Sequence, residues 1–461
     1  MPPTAEAGET TGLSEPVELD EALHREVHEA LEEENEPLAA ALAGQLHPAD
    51  QAALIERLEP RLRPELVRAL GPQLDPETLS YLDDTVRDDV LEAIGPKAAG
   101  AAVAQLDTDD AVEVLSELEP EEQRAILAEV PVPERLVIEQ GLAYPEYSAG
   151  RLMQREVVAL PEFWTVGAAV DWLRARPELP DTFYDIYLVD PRFAPVGAVP
   201  LSHLVRGTRE AALRDLRQKE LRSFSPETDQ EEVARAFHRY GLVSAPVVGA
   251  DGRLLGVLTV DDIVDVIQEE AEEDFLRLGG VAEADPYASS LQTSLRRLPW
   301  LVVNLATAIL ASLVIDQFEG QIAQLVALAV LAPMVASMGG NAGTQTLTVT
   351  VRAIALRVIG QGVPLRAVRK ELVVGALNGI VFFGIGWLTA YVWFRQAKLA
   401  LVFGAAMLVN LLAAGFAGVL IPLVLERLGF DPAVSSGVFL TTVTDCVGFF
   451  AFLALATHFL L

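Results

Sequence analysis

Residues 443–461 read VTDCVGFFAFLALATHFLL, an apolar run of membrane length with one carboxylate, Asp445, near its start. At about 1.5 Å of rise per residue, such a run reaches across most of a bilayer's hydrocarbon core as a helix. An ionisable side chain at that depth is costly and by default marks an ion or proton path. The alternative is a protonated carboxyl packed between helices.

Four more apolar runs precede it, at 298–315, 322–339, 372–394 and 399–425, and the last begins at 437. Each approaches or exceeds the roughly 20 residues that cross a bilayer, so five spans are expected within residues 296–461. Arg296, Arg297, Arg352, Arg357, Arg366, Arg369, Lys370 and Arg427 gather at one set of ends, and only Arg395 and Lys398 at the other. The excess of positive charge on cytoplasmic loops places the N-terminus inside and the C-terminus outside a cell (inner) membrane. The opening MPPTAEAGETTGLSEPVELDEA is acidic and polar and reads as no signal peptide, which agrees. Five spans are few for a transporter, so a homodimer in the lipid bilayer is expected.

The polar residues of the spans are the informative part. Gly437, Thr441, Thr444, Asp445 and Gly448 are expected along one face of span five, and Asn410, Ala414 and Gly418 recur at four-residue spacing in span four, suited to close helix contact. The stretch APMVASMGGNAGTQTLTVT (332–350) holds Pro333, Gly339, Gly340 and Gly343, which are expected to bend or break the helix and free backbone carbonyls beside a watery cavity. Asn341, Thr344, Gln345 and Thr348 add neutral oxygens. No Lys or Arg within a span neutralises Asp445. Two such carboxylates about a dimer axis, with neutral oxygens, suit a hard divalent ion. Mg²⁺ dehydrates reluctantly and would be held through its waters.

Charge is divided along the chain. Of 34 Lys/Arg and 66 Asp/Glu, eight and six lie beyond residue 297, leaving 26 and 60 before it, a net of about −34. So acidic a surface excludes nucleic acid as a partner and fits either solubility alone or the collection of cations. The one cysteine, Cys446, excludes an internal disulfide.

Residues 1–20 read as a disordered acidic lead-in, and 21–145 as a helical, superhelical N domain. Its helix starts recur as QLHPAD (45–50), QLDPET (73–78), QLDTDD (105–110) and ELEPEE (117–122), each with a capping residue and then first-turn acids. Residues 146–266 repeat a helix–strand–turn–strand–helix pattern twice, with Gly197 and Gly256 in matching places; tandem copies of this kind pack face to face. These residues resemble a pair of CBS domains. Residues 267–295 form an acidic connecting helix and linker. That helix and the turn before it crowd Asp261, Asp262, Asp265, Glu269, Glu270, Glu272, Glu273 and Asp274 at spacings that repel; either a solvated face or a bound cation accounts for them.

Taken together, PMVASMGGNAGTQ (333–345), FLTTVTDCVGFF (439–450), YPEYSAGRLM (144–153) and GRLLGVLTVDDIVDVIQEEAEEDFLRLGG (252–280) resemble the MgtE family of magnesium channels and transporters, from about residue 40 to the end. The resemblance implies a homodimeric Mg²⁺-selective pore closed by cytosolic Mg²⁺. It assigns Asp445 as the pore carboxylate and Asn341, Thr344 and Thr348 as pore-lining. It assigns Asp262, Asp265, Glu270, Glu273 and Asp274 as sensing acids of the connecting helix. Glu231, Glu77 and Asp109 then match sensor acids at domain interfaces. Thr344, Gly437 and Gly241 depart from residues other members carry, the last at a sensor acid. Ser202 and His203 stand where an acid and a basic residue assist nucleotide binding in some members, which counts against ATP in the first CBS module. A Thr259-x-x-Asp262 pattern of ribose-binding type survives in the second.

Other readings are a transporter of Co²⁺, Ni²⁺ or Zn²⁺, or a membrane-bound CBS sensor without a pore. No His/Cys cluster favours the softer metals. An enzyme is not expected, since no P-loop, HExxH or nucleophile–base constellation occurs.

Overall fold

A computed structural model describes residues 19–177, 179–180, 182–218, 220–281, 287, 290–355 and 364–461. The lead-in, except Leu19 and Asp20, most of the linker after the connecting helix, and Arg357 lie outside the described residues. The chain forms two compact units that divide at Gln268/Glu269.

The first unit opens with short helices, among them Glu21–Glu32, Pro48–Arg57, Arg63–Leu70, Asp84–Val103, Thr108–Ser116 and Pro120–Glu129. Their apolar faces meet in one core around Val27, Leu54, Leu66, Val86 and Leu115. Two of the four start signals cap as read. His47 Nδ1 accepts from the Ala49 N–H at 3.2 Å ahead of Pro48, and Asp75 accepts from the Glu77 N–H at 3.1 Å. Asp107 and Glu119 head their helices without a side-chain cap bond. For Asp107 the reason is competition, because its carboxylate accepts from Gln154 Nε2 at 2.6 Å instead. Helix Asp84–Val103 kinks where Gly95 takes φ +76° ahead of Pro96.

The expected tandem repeat follows. β1 (Ala159–Pro161) runs parallel to β2 (Asp185–Val189), which pairs antiparallel with β3 (Pro195–Pro200). β4 (Ser244–Val248) pairs antiparallel with β5 (Leu254–Thr259). The copies match in register: Gly197 faces Leu188 and Gly256 faces Val247, each just before a register shift. Gly256 is required by a close approach. Gln154 and Val257 exchange backbone hydrogen bonds of 2.8 Å in both directions, and a Cβ on Gly256 would stand 2.5 Å from the Gln154 carbonyl oxygen. The two modules join where Ser244 Oγ donates to Asp185 Oδ2 at 2.7 Å and lies 2.7 Å from the buried Tyr187 hydroxyl. β5 leads directly into the 19-residue connecting helix Val260–Leu278, which buries only Ile263 and Val266.

The second unit contains five long helices: Ser290–Asp316 (span one), Ala327–Ala355 (span two), Pro364–Phe394 (span three), Ala397–Arg427 (span four) and Pro432–Phe459 (span five). Four of them are long and apolar enough to cross a membrane. Span two has 29 residues but is polar over its second half. It begins later than the sequence suggested, because 319–324 forms a separate short helix.

The expected break at Pro333, Gly339, Gly340 and Gly343 does not occur, and span two is one continuous helix. Backbone in hydrocarbon has no water to bond, so the helix persists through residues of low propensity. Its threonines are satisfied locally: Thr344, Thr348 and Thr350 each donate to the carbonyl four residues back, at 3.0, 3.0 and 2.8 Å. The glycines serve contact instead. A Cβ on Gly343 would lie 2.9 Å from Leu440 Cδ1, and one on Gly418 2.9 Å from Thr346.

Candidate ion path and acidic interface

Asn341, Thr344 and Thr348 succeed one another at three and four residues on span two, so they share a helix face, and all three are exposed. On span five the residues read as a single face divide. Thr441 is exposed and Gly437 and Asp445 are half-buried, whereas Thr444 and Gly448 are buried against neighbouring helices. Gly448 meets Asn410, and a Cβ on Gly340 would come within 4.0 Å of Thr444 Oγ1. The accessible polar residues of these two helices are therefore Asn341, Thr344 and Thr348 on span two and Thr441 with half-buried Asp445 on span five, one charge among amide and hydroxyl oxygens. That donor set is hard and suits a hydrated divalent cation. Among the described residues no three His, Cys, Asp or Glu side chains converge to enclose a metal within one chain.

At the start of span five, Asp431 performs two tasks. Its Oδ1 accepts from the Ala433 N–H at 2.8 Å, capping the helix, and its Oδ2 accepts from Arg277 Nη1 at 2.5 Å. Arg277 belongs to the last turn of the connecting helix and also pairs with Glu273. The neighbouring Leu278 packs against Leu347, Val351, Ala433 and Leu440. The end of the acidic helix is thus fastened to the helix that carries Asp445. Asp431-Pro432 is a legible cap signal, but nothing in the sequence named Arg277 as its partner.

Within the first unit, Asp109 and Asp262 come together across the face between the N domain and the second CBS module. Burial first, then the charge of Asp262, drives the Asp109 carboxyl well above its usual range. Asp262 is pushed up to about 7, mainly by burial, although Thr259 Oγ1 donates to its Oδ2 at 2.5 Å. Burial, then Glu113, raises Asp110 to about 6. Tyr81 is raised by burial and then by Glu77, Asp110, Asp265 and Asp261, which gather around it. Asp265 is itself raised by burial and by Asp261. Four residues singled out from the sequence, Glu77, Asp109, Asp262 and Asp265, therefore meet in one acidic interface.

The remaining acids stand elsewhere. Glu231, in the first turn of Gln230–Tyr240, pairs with Arg235 at 2.5 Å. Glu270, Glu273 and Asp274 lie further along the connecting helix. Gly241 takes φ +61° as the left-handed cap of Gln230–Tyr240, which explains glycine at that position. His203 Nδ1 lies 3.3 Å from the Leu216 carbonyl oxygen.

Sequence reasoning missed the latch beside this interface. Glu156, in the segment before β1, accepts from Thr108 Oγ1 at 2.7 Å and from the Thr108 N–H at 3.3 Å. With the Gln154–Asp107 bond, it caps from outside the helix whose first turn carries Asp109 and Asp110. An external cap leaves no local spacing signal.

Comparison with known proteins agrees with this architecture. Residues 332–455 match the family model MgtE, described as a divalent cation transporter, residues 46–147 the MgtE intracellular N domain, and residues 213–269 a CBS domain. The chain is 33% identical over 323 residues to the magnesium transporter MgtE of Enterococcus faecalis, covering 70% of this chain and 71% of that one. It is 31% identical over 328 residues to the magnesium transporter MgtE of Bacillus subtilis, covering 71% and 73%. The solved cytosolic domain of the Mg²⁺ channel MgtE in complex with ATP is 28% identical, with a TM-score of 0.49, over 53% of this chain and 99% of that one. With these identities extending over more than two thirds of the curated relatives, the chain belongs to the MgtE family of divalent cation transporters.

Proposed function

We propose that this protein carries Mg²⁺ across the cell membrane as a homodimer and that cytosolic Mg²⁺ closes it. The observation that carries this reading is the accessibility of Asn341, Thr344, Thr348 and Thr441, with half-buried Asp445, on membrane-length helices. Polar groups at membrane depth do not face lipid; they face protein or water. A second copy related by a twofold axis would oppose the same residues and enclose a wet path with two carboxylates. Charge at Asp445 attracts the divalent ion, and the neutral oxygens bind its retained water shell. Thiol or imidazole clusters, which would favour Zn²⁺, Ni²⁺ or Co²⁺, do not accompany it among the described residues.

For gating, the interface of Asp109, Asp110, Asp262 and Asp265 is the first element. When cytosolic Mg²⁺ is low, its carboxylates repel one another as they ionise, and the N domain loosens from the second CBS module. When Mg²⁺ is high, the ion bridges them. Glu270, Glu273 and Asp274 extend the same sensing surface along the connecting helix, with Glu77 and Glu231 as outlying acids. The Arg277–Asp431 pair passes the helix's position to span five. The ion need only bind the closed arrangement better, and each tenfold preference is worth about 1.4 kcal/mol.

Reconstituted protein should carry Mg²⁺ into liposomes, and Asp445→Asn should reduce that flux to the level of empty vesicles. Flux at the wild-type rate in the variant would remove Asp445 from the path. Folded wild-type protein with no flux would favour a sensor without a pore.

A further inference from the structure

Asn410, in the middle of span four, is 0% exposed. Its Nδ2 donates to the Val335 carbonyl oxygen of span two at 2.8 Å, while its Oδ1 is buried with no hydrogen-bond partner. Glycines bracket the amide. A Cβ on Gly339 of span two would come within 2.1 Å of Nδ2, and a Cβ on Gly448 of span five within 2.7 Å. The amide is therefore a wedge where three helices meet, tethered to one and pressed against another. Gly339 lies two residues from Asn341, and Gly448 three residues from Asp445.

Packing alone does not explain this residue. Leucine has the same branched heavy-atom skeleton and would strand no acceptor, and an unpaired buried acceptor disfavours the folded state. A polar group retained at such a cost points to a role beyond stability. We infer that Asn410 is a positioning residue of the ion path, setting the separation of spans two and five and so the distance between the Asn341 oxygens and the Asp445 carboxylate. The inference rests on those side chains lining the path. Because the hydrated ion is recognised through its water shell, a change in that separation alters which ion fits before it alters whether the protein folds.

The test compares wild type, Asn410→Leu and Asp445→Asn in liposomes, measuring Mg²⁺ KM, maximal flux, preference for Mg²⁺ over Co²⁺ and Ca²⁺, and the melting temperature in detergent. Asn410→Leu should still fold, with a cooperative melting transition, yet lose about tenfold of its Mg²⁺ preference or raise KM by a similar factor. Wild-type KM and preference in Asn410→Leu, with flux abolished in Asp445→Asn, would overturn this inference and leave the path intact. Wild-type behaviour in both variants would overturn the path as well. Should Asn410→Leu fail to fold, Gly448→Ala presses the wedge from the other side. It should shift preference in the same assay, and adding Asn410→Ala should restore it. Unchanged preference in Gly448→Ala would equally overturn the proposal.

Discussion

Single residues matter here through what they touch. Asp445 is a half-buried carboxylate in an apolar helix, and in the proposed path its charge is what attracts the ion. Thr344 and Thr348 have already donated their hydroxyl protons to the helix, which turns their oxygens into acceptors available to a hydrated cation. Gly256 illustrates a different constraint, since its missing side chain makes room for the Gln154 backbone. Gly256→Ala should lower the stability of the CBS pair by about 1–3 kcal/mol, as overpacking against a rigid main chain does, measured as a fall in the denaturation midpoint. An unchanged midpoint would mean that strand β5 moves away freely.

Among the elements, helix Thr108–Ser116 and the connecting helix decide how the acidic interface is built. The first presents Asp109 and Asp110 at its N-terminus, where a helix favours negative charge, and Glu156 holds it in place. Glu156→Ala should cost about 1 kcal/mol as the loss of a cap, and hydrogen exchange should quicken at residues 108–112 while the core around Leu54 stays protected. Uniform exchange across the N domain would contradict a local latch. The elements themselves were readable from the sequence: periodic apolar faces, repeated cap signals, two α/β copies and runs of membrane length. The continuity of span two was not, because glycine and proline read as breaks in water, whereas in hydrocarbon the same glycines are contact points for Asn410 and Leu440. Nor was the split on span five readable, since only neighbouring helices separate buried Thr444 from open Thr441. Among the candidate residues, Asp445 is singled out by its isolation in the sequence, whereas the resemblance set Asp109 at a domain interface without pairing it with Asp262. Glu156, Gln154 and Arg277 act across long sequence separations and carried no local signal.

At the scale of the whole molecule, an acidic first unit is joined to an apolar second unit, and the proposed gate rests on the charge of the first. Asp110 at about 6, Asp262 at about 7 and Asp109 higher than usual are all raised by burial in the docked arrangement. Groups with raised folded pKa values stabilise that arrangement fully at acid pH, and their contribution is lost as pH rises through about 6 to 7. Without divalent ions, the N domain should therefore loosen from the CBS pair as pH rises from about 4 to about 7, and Mg²⁺ should restore docking at the upper end. Fluorescence energy transfer between labels on the two domains reads this directly, and Asp110→Asn with Asp262→Asn should flatten the pH dependence. The central claim joins gate and path, and one measurement addresses both: Mg²⁺ uptake into liposomes loaded with low or high internal Mg²⁺, for wild type, for Asp445→Ala and for Asp109→Asn with Asp262→Asn. The account predicts wild-type uptake only at low internal Mg²⁺, no uptake with Asp445→Ala, and uptake that no longer depends on internal Mg²⁺ when the two interface carboxylates are neutralised. Wild-type uptake that ignores internal Mg²⁺, or a neutralised interface that still closes normally, would contradict it.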